Sequence, residues 1–434
     1  MNDYSKVDIH QLEQAKLLVD MNPGQAFEFA LNQSVTHTKL LSQMIQEIPE
    51  DIATKAIGMF ANEIQRTDFE KAVSRHGYLL FDNRRVDALH AIANIGSSFF
   101  TKYAQAKKDV QDAMPALEKL LRLALDPLMK NSLRPRRRLQ MLNIVRDVVS
   151  SFRNVDEGKA YLGRRNYWLP LISTWLTVVD SGTEEDVILS GLLVASDAIF
   201  RDEKGSKGIF LTQVFAEASE GDTRTKAKHI VGVALGRIRR AMSVFTVSGD
   251  DSILSSSLHV LMLLNETTDD NITALEYKLR DALVDLNGVH EMAEILHTGL
   301  EHSRWVTVST TLGIVYRHFC AIASSTTIKH SLDIGLVKAV LDASKAANEL
   351  NDIAHFSISA LLQEYIPDAF LLRSVVKGFN IGELQSSFAS DTDQRWRNIA
   401  LVHESRRNLY HALVRRNGKE RLPCANVGRF THRN

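Results

Sequence analysis

Glu294-Ile-Leu-His297 sets a carboxylate and an imidazole three residues apart, which on a helix puts both on one face. Carboxylate-bridged di-metal bundles use this spacing, but they need a second copy and two more glutamates from facing helices. The nearest second copy is Asp87-Ala-Leu-His90, only a loose analogue. His290, His297 and His302 do not follow the i, i+4 spacing of H-E-x-x-H. These histidines read as solvated or core-edge residues, and no metal is expected. Gly205-Ser-Lys-Gly208 frames a lysine with glycines, yet a phosphate-cradling loop requires G-x-x-x-x-G-K-S/T between a strand and a helix. It reads as a turn between helical units.

No G-x-S-x-G elbow is present, and no Cys-His pair has a third orienting partner in a recognisable pattern. No catalytic or cofactor-binding residue is assigned, and the chain is expected not to be an enzyme. The enzymatic alternative is a site hidden in a groove between repeats, assembled from distant residues.

Basic residues say more. Arg134, Arg136, Arg137 and Arg138 surround Pro135, and Arg237, Arg239 and Arg240 crowd a helix end. Both clusters are expected to satisfy carbonyls and carboxylates of neighbouring helices. From Arg395 onward, Arg395, Arg397, Arg406, Arg407, Arg415, Arg416, Lys419, Arg421, Arg429 and Arg433 face only Glu404 and Glu420. That segment either grips phosphates or an acidic partner, or lines helix ends as the other clusters do. Its aromatic residues are few (Trp396, Tyr410, Phe430), which weakens a stacking platform for single strands.

The elements that would position these residues are helices. The plainest stretch runs from Trp168 to Phe200. Leu169, Ile172, Leu176 and Val179 recur at helical spacing, Ser181-Gly182 breaks the pattern, and Thr183 can cap a second helix with Glu184, Glu185 and Asp186 in its first turn. Ile188, Leu192, Ala195 and Ile199 form the second stripe. Neither helix can bury its stripe alone, so each pair needs neighbours of its own kind. Leu117 to Ala124, in a helix expected to stop before Pro127, pairs with Leu139 to Val149 after Pro135. Further pairs are read at 208–238, 253–286, 289–319 and 336–362. Starts near 115, 168, 208, 252, 289 and 334 approach the ~40–47-residue period of armadillo and HEAT arrays. Sustained alternation is absent, so strands are not expected.

Lysine plus arginine and aspartate plus glutamate number 52 each, so bulk charge favours neither nucleic acid nor membrane. Two cysteines give no disulfide framework. The longest apolar runs, Val187 to Val194 and Leu258 to Leu264, fall far short of the ~20 residues of a spanning helix. The polar N-terminus does not read as a signal peptide. Cytoplasm or nucleus is expected, with no membrane association.

Gln363-Glu-Tyr-Ile-Pro367-Asp-Ala-Phe-Leu-Leu-Arg-Ser-Val375, then the helix from Trp396 to Leu413, then Leu422-Pro-Cys-Ala-Asn-Val427-Gly follow in order near the C-terminal end. This order resembles the region leading into the zinc finger of fungal, mostly mushroom, MYND-type proteins. Cys424 and Asn426 match the opening of that finger. The resemblance implies an armadillo-like helical body and a protein-binding role, since MYND fingers recognise short proline-containing peptides. Arg429 stands near the place of the second ligand, which leaves Cys424 and His432 as two ligands at most, remnants of an incomplete site. Structural zinc takes four ligands, so a finger-less or truncated member is expected.

The sequence thus predicts an all-α fold, an α-solenoid of degenerate armadillo/HEAT-like helix pairs in a single superhelical body. Its expected parts are an irregular helical region at 1–110, repeats at 111–390, a basic helix at 391–421 and a finger remnant at 422–434. The expected function is a protein-interaction scaffold with an unidentified partner and binding face. The alternative is a nucleic-acid- or chromatin-associated regulator working through the basic C-terminal segment.

Overall fold

The computed structural model describes residues 9–32, 34–71, 83–95, 97–130, 133–153, 155–177, 183–204, 209–265, 274–320, 325–332, 334–379, 381–382 and 394–417. Among them every regular element is a helix and none is a strand, as the periodicity requires. Contacts divide the chain into two compact units, Met1–Ser206 and Lys207–Asn434. That division falls inside the stretch read from sequence as one run of repeats. The boundary expected at 110/111 lies within a helix, Ala104–Met129.

The N-terminal unit contains α1 (Ile9–Met21), α2 (Pro23–Leu31), α3 (Val35–Gln43), α4 (Glu50–Gln65), α5 (Asn83–Ala93), α6 (Ser97–Lys102), α7 (Ala104–Met129), α8 (Pro135–Phe152), α9 (Asp156–Leu162), α10 (Arg165–Thr177) and α11 (Thr183–Lys204). Two rows emerge from the packing. In one, α4 lies on α7 and α7 on α10; in the other, α3 lies on α5, α5 on α8 and α8 on α11. The pairs α4–α5, α7–α8 and α10–α11 join the rows. The pattern already holds within the first hundred residues, where the apolar spacing looked irregular.

α7 shows why the rows form. Val110, Met114, Leu117, Leu121, Ala124 and Leu128 recur at steps of four and three and are all buried. The helix does not stop before Pro127 but runs to Met129. Pro127 sits in the last turn, where its missing amide forfeits one backbone bond, and its ring is buried. Pro135 opens α8 at the first helical position, where the lost N–H costs nothing.

In α10 and α11 the expected Ile172, Leu176, Ile188 and Leu192 are buried. The buried face of α10 is wider than the stripe, because α7, α9 and α11 all pack on it. It takes in Tyr167, Trp168, Leu171 and Trp175, while Leu169 is only half-buried. On α11 the buried face turns toward Leu189, Leu193 and Asp197, which leaves Ala195 exposed rather than buried. Val179 and Gly182, and the side chains of Thr183 and Ile199, lie outside the described residues.

The C-terminal unit contains α12 (Ile209–Ala218), α13 (Thr223–Ser248), α14 (Ser252–Leu264), α15 (Ala274–Asp285), α16 (Gly288–Glu301), α17 (Trp305–Cys320), α18 (Ser325–Ser331), α19 (Ile334–Lys345), α20 (Asp352–Ala360), a π turn (Leu361–Tyr365), α21 (Ile366–Ala369), α22 (Arg373–Gly378) and α23 (Gln394–Asn417). One row holds α13 on α15 and α16 on α19; the other holds α14 on α17 and α17 on α20. The pairs α13–α14, α16–α17 and α19–α20 join them. Residues 253–264 and 275–286, read from sequence as one pair, have different partners: α14 packs on α13 and α17, and α15 on α13 and α16. The cause is α13. Its 26 residues, capped by Asp222 and ended by the left-handed Gly249, are long enough to serve both.

Polar contacts repeat the same offset. Lys107 reaches Asp156, Gln111 reaches Glu157 and Arg138 reaches Glu185; in the other unit Arg304 reaches the Gly249 carbonyl, Thr307 reaches Asp251 and Arg317 the Met262 carbonyl. Each joins residues 46 to 56 positions apart.

Candidate functional site

The densest buried set of titratable and nucleophilic side chains lies where α15, α17, α18 and the π turn supply it. α15 brings Glu276 and Arg280, one turn apart and each 1% exposed. The Arg280 guanidinium donates to the Glu276 carbonyl at 2.8 Å and to the Asn265 carbonyl at 3.3 Å. Burial pulls its pKa down to about 10, against the opposing pull of Glu276, so it stays charged at neutral pH. α17 contributes His318, whose Nε2 lies 2.8 Å from the Ser331 hydroxyl of α18. Burial first, and the Arg280 charge second, bring the His318 pKa to about 3. Its imidazole is therefore neutral.

At the end of α17 the Cys320 thiol donates to the Tyr365 hydroxyl at 3.2 Å. Burial pushes that thiol up and outweighs the hydrogen bonds from Tyr365 and Tyr316 that pull the other way. The Tyr316 and Tyr365 phenols are also raised, chiefly by burial, and their rings meet edge to face at 5.8 Å. At neutral pH the set thus holds a protonated thiol, a neutral imidazole, two phenols and a charge-balanced arginine. Such groups share hydrogen bonds, but the thiol is no thiolate and the imidazole no poised base. The π turn supplies Tyr365 to this cluster, a role such turns often have at functional sites. The i, i+4 spacing of Glu276 and Arg280 was a visible signal for the network. The contribution of Tyr365, from 45 residues beyond Cys320, had no local signal.

Glu294 and His297 lie on the solvent side of α16 and do not act as a pair. His290 Nε2 is 3.4 Å from Glu294, and His297 Nε2 is 3.3 Å from Glu301, so the motif resolves into two exposed i, i+4 imidazole–carboxylate contacts. His302 closes α16 and stacks edge-on against Phe245. Asp87 and His90 are brought to the α5–α8 contact. Burial raises Asp87 to about 6, and His90 is raised first by the neighbouring Asp147 carboxylate, whose Oδ2 is 3.7 Å from Nδ1. Among the described residues no three His, Cys, Asp or Glu side chains group so as to hold a metal ion. Gly205 to Gly208, Cys424 and His432 lie outside the described residues. So do Lys419, Arg421, Arg429, Arg433 and the side chains of Arg395 and Arg416.

In the first two basic clusters, Arg138 and Arg239 bind carboxylates or carbonyls of neighbouring helices. Arg138 of α8 meets Glu185 of α11 at 2.9 Å with both side chains nearly buried. Arg137 donates to Gln140, and Arg239 of α13 binds Glu291 and the Leu286 carbonyl. Arg237 is wholly buried. A cleft of about 280 Å³ in the C-terminal unit is lined by Val284, Asp285, Asn287, Val289, His290 and His330. Its carboxylate is already engaged: Lys228, 2.8 Å away, holds Asp285 below the usual carboxylate range.

No helix among the described residues is long and apolar enough to cross a membrane. No protein-family model, curated protein or solved structure matches the chain.

Proposed function

We propose that this chain is a non-enzymatic scaffold, an α-solenoid of degenerate armadillo- or HEAT-like helix pairs that holds another protein against its exposed helix faces. The observation that carries the reading is the recurrence, within each unit, of polar contacts between helices of successive pairs, 46 to 56 residues apart. In the first unit that offset meets the ~40–47-residue period of such arrays, and in the second it exceeds it. The cluster around Arg280 fits a structural role, because burial holds the Cys320 thiol and the His318 imidazole in the uncharged forms that hydrogen-bond to Tyr365 and Ser331. The setting is cytoplasm or nucleus.

A place among MYND-type proteins belongs to the same proposal. It rests on the sequence from Gln363 to Val375 and from Leu422 to Val427.

The scaffold reading is tested by cross-linking full-length chain in its native extract, identifying the attached protein, and reconstituting the two from purified components. A saturable complex of fixed stoichiometry is expected by calorimetry. Failure of every captured protein to bind in reconstitution contradicts the reading, as does turnover of a captured molecule by the chain.

A further inference from the structure

α23 carries six arginines and a single glutamate, Glu404. One side of the helix is fastened to the C-terminal unit. Ile399 is fully buried, His403 lies against Phe370 and Phe379 with ring centroids 5.0 and 5.9 Å away, and the Tyr410 hydroxyl donates to the Leu371 carbonyl. On the opposite side Arg397, Leu401, Asn408 and Arg415 follow at steps of four, seven and seven, which makes one strip roughly 27 Å long. All four are exposed, Leu401 by 61%. Arg407 and the 47% exposed Leu409 flank the strip. Elsewhere Arg138, Arg239 and Arg304 are each held by a carboxylate or a carbonyl. Arg397, Arg407 and Arg415 have no ion-pair partner among the described residues.

We propose that this strip docks an acidic, amphipathic helix of a partner protein. The partner's carboxylates meet Arg397, Arg407 and Arg415, and its apolar stripe covers Leu401 and Leu409. The proposal rests on the scaffold reading and names the chemistry of the partner. Charge complementarity alone also suits nucleic acid, but two observations favour protein. Two leucines interleaved with the arginines gain nothing beside phosphates, whereas they bury against an apolar stripe. The ring of Tyr410, which could stack on a base, is tied back to Leu371.

The test uses the full chain and fluorescence anisotropy with three probes. The first is a labelled synthetic helix with glutamates beside a leucine stripe, the second a peptide of the same composition in scrambled order, the third a DNA duplex. The first probe is expected to bind, more weakly as salt rises, and at least tenfold more tightly than the other two. Combining R397E, R407E and R415E is expected to weaken it about tenfold or more, and L401S with L409S to weaken it without altering charge. All five side chains are exposed, so thermal unfolding by circular dichroism should match the parent. Equal affinity for the scrambled peptide, tighter binding of DNA, no binding, or indifference to either set of variants overturns the proposal. If the acidic helix fails while the reconstituted complex of the preceding section forms, the strip assignment falls and the scaffold reading stands.

Discussion

Arg138 and Glu185 meet almost out of reach of water, with side-chain exposures of 11% and 5%. Removing one member leaves the other charge buried and unpaired, so Arg138→Ala is expected to cost about 3 kcal/mol in urea unfolding. Replacing both with apolar residues of similar volume should cost far less. His318 adds a pH dependence. Its folded pKa, about 3, lies below the ordinary value of 6.5, so the unfolded chain takes up a proton that the folded chain refuses. The resulting stability is fully present above pH 6.5 and is lost as pH falls toward 3. His318→Gln, which can keep the bond to Ser331, should flatten the stability curve over that window by about one proton, roughly 1.4 kcal/mol per pH unit. At this scale the acceptors of Arg138 and Arg239 were legible in kind, because a guanidinium packed beside a neighbouring helix takes a carboxylate or a carbonyl, but Arg237, Arg239 and Arg240 lie inside α13 and not at the helix end expected of them. Glu294 and His297 misled, because a helix face that offers an i, i+3 pair also offers i, i+4 pairs, and Glu294 pairs with His290. The partners of Arg280, His318 and Cys320 come from four elements, and no local spacing shows which of these meet.

Helices were the most legible level. Apolar residues at steps of three and four reveal a buried stripe, and Gly249 and Pro135 punctuate as their backbone chemistry demands. Stripe width was not legible, since it depends on how many neighbours a helix has. α10 has three and buries Trp168 and Trp175 as well as the expected Ile172 and Leu176, while Ala195 on α11 turns outward. Two glycines give opposite expectations. At Gly158, where α8 turns into α9, an added Cβ would sit 2.6 Å from the Phe152 carbonyl oxygen and 2.7 Å from its Cα. Backbone cannot step aside as a side-chain tip can. Gly158→Ala should therefore destabilise by about 1–3 kcal/mol in denaturant unfolding. Gly191, inside α11, has nothing within 4 Å of such a Cβ. Gly191→Ala should stabilise by about 1 kcal/mol through helix propensity alone.

For the whole molecule, the two units are the level that sequence periodicity did not reveal. The repeat-like spacing runs through residue 206 without a break, whereas the contacts divide there. Each unit has its own buried aromatic core, Trp168 and Trp175 in the first, Phe215, Phe245 and Phe370 in the second. Fragments Met1–Ser206 and Lys207–Asn434 are accordingly expected to fold separately, each helical with a cooperative thermal transition. The central claim is that consecutive helix pairs stack, so that residues about fifty positions apart touch. Zero-length carbodiimide coupling of lysines to carboxylates in the native protein, read by mass spectrometry, tests it most directly. The account predicts links from Lys102 to Glu50, Lys107 to Asp156, Lys119 to Glu70 and Lys228 to Asp285. Links from these lysines to carboxylates at unrelated separations, with those four missing, would contradict the stacked rows and the scaffold built on them.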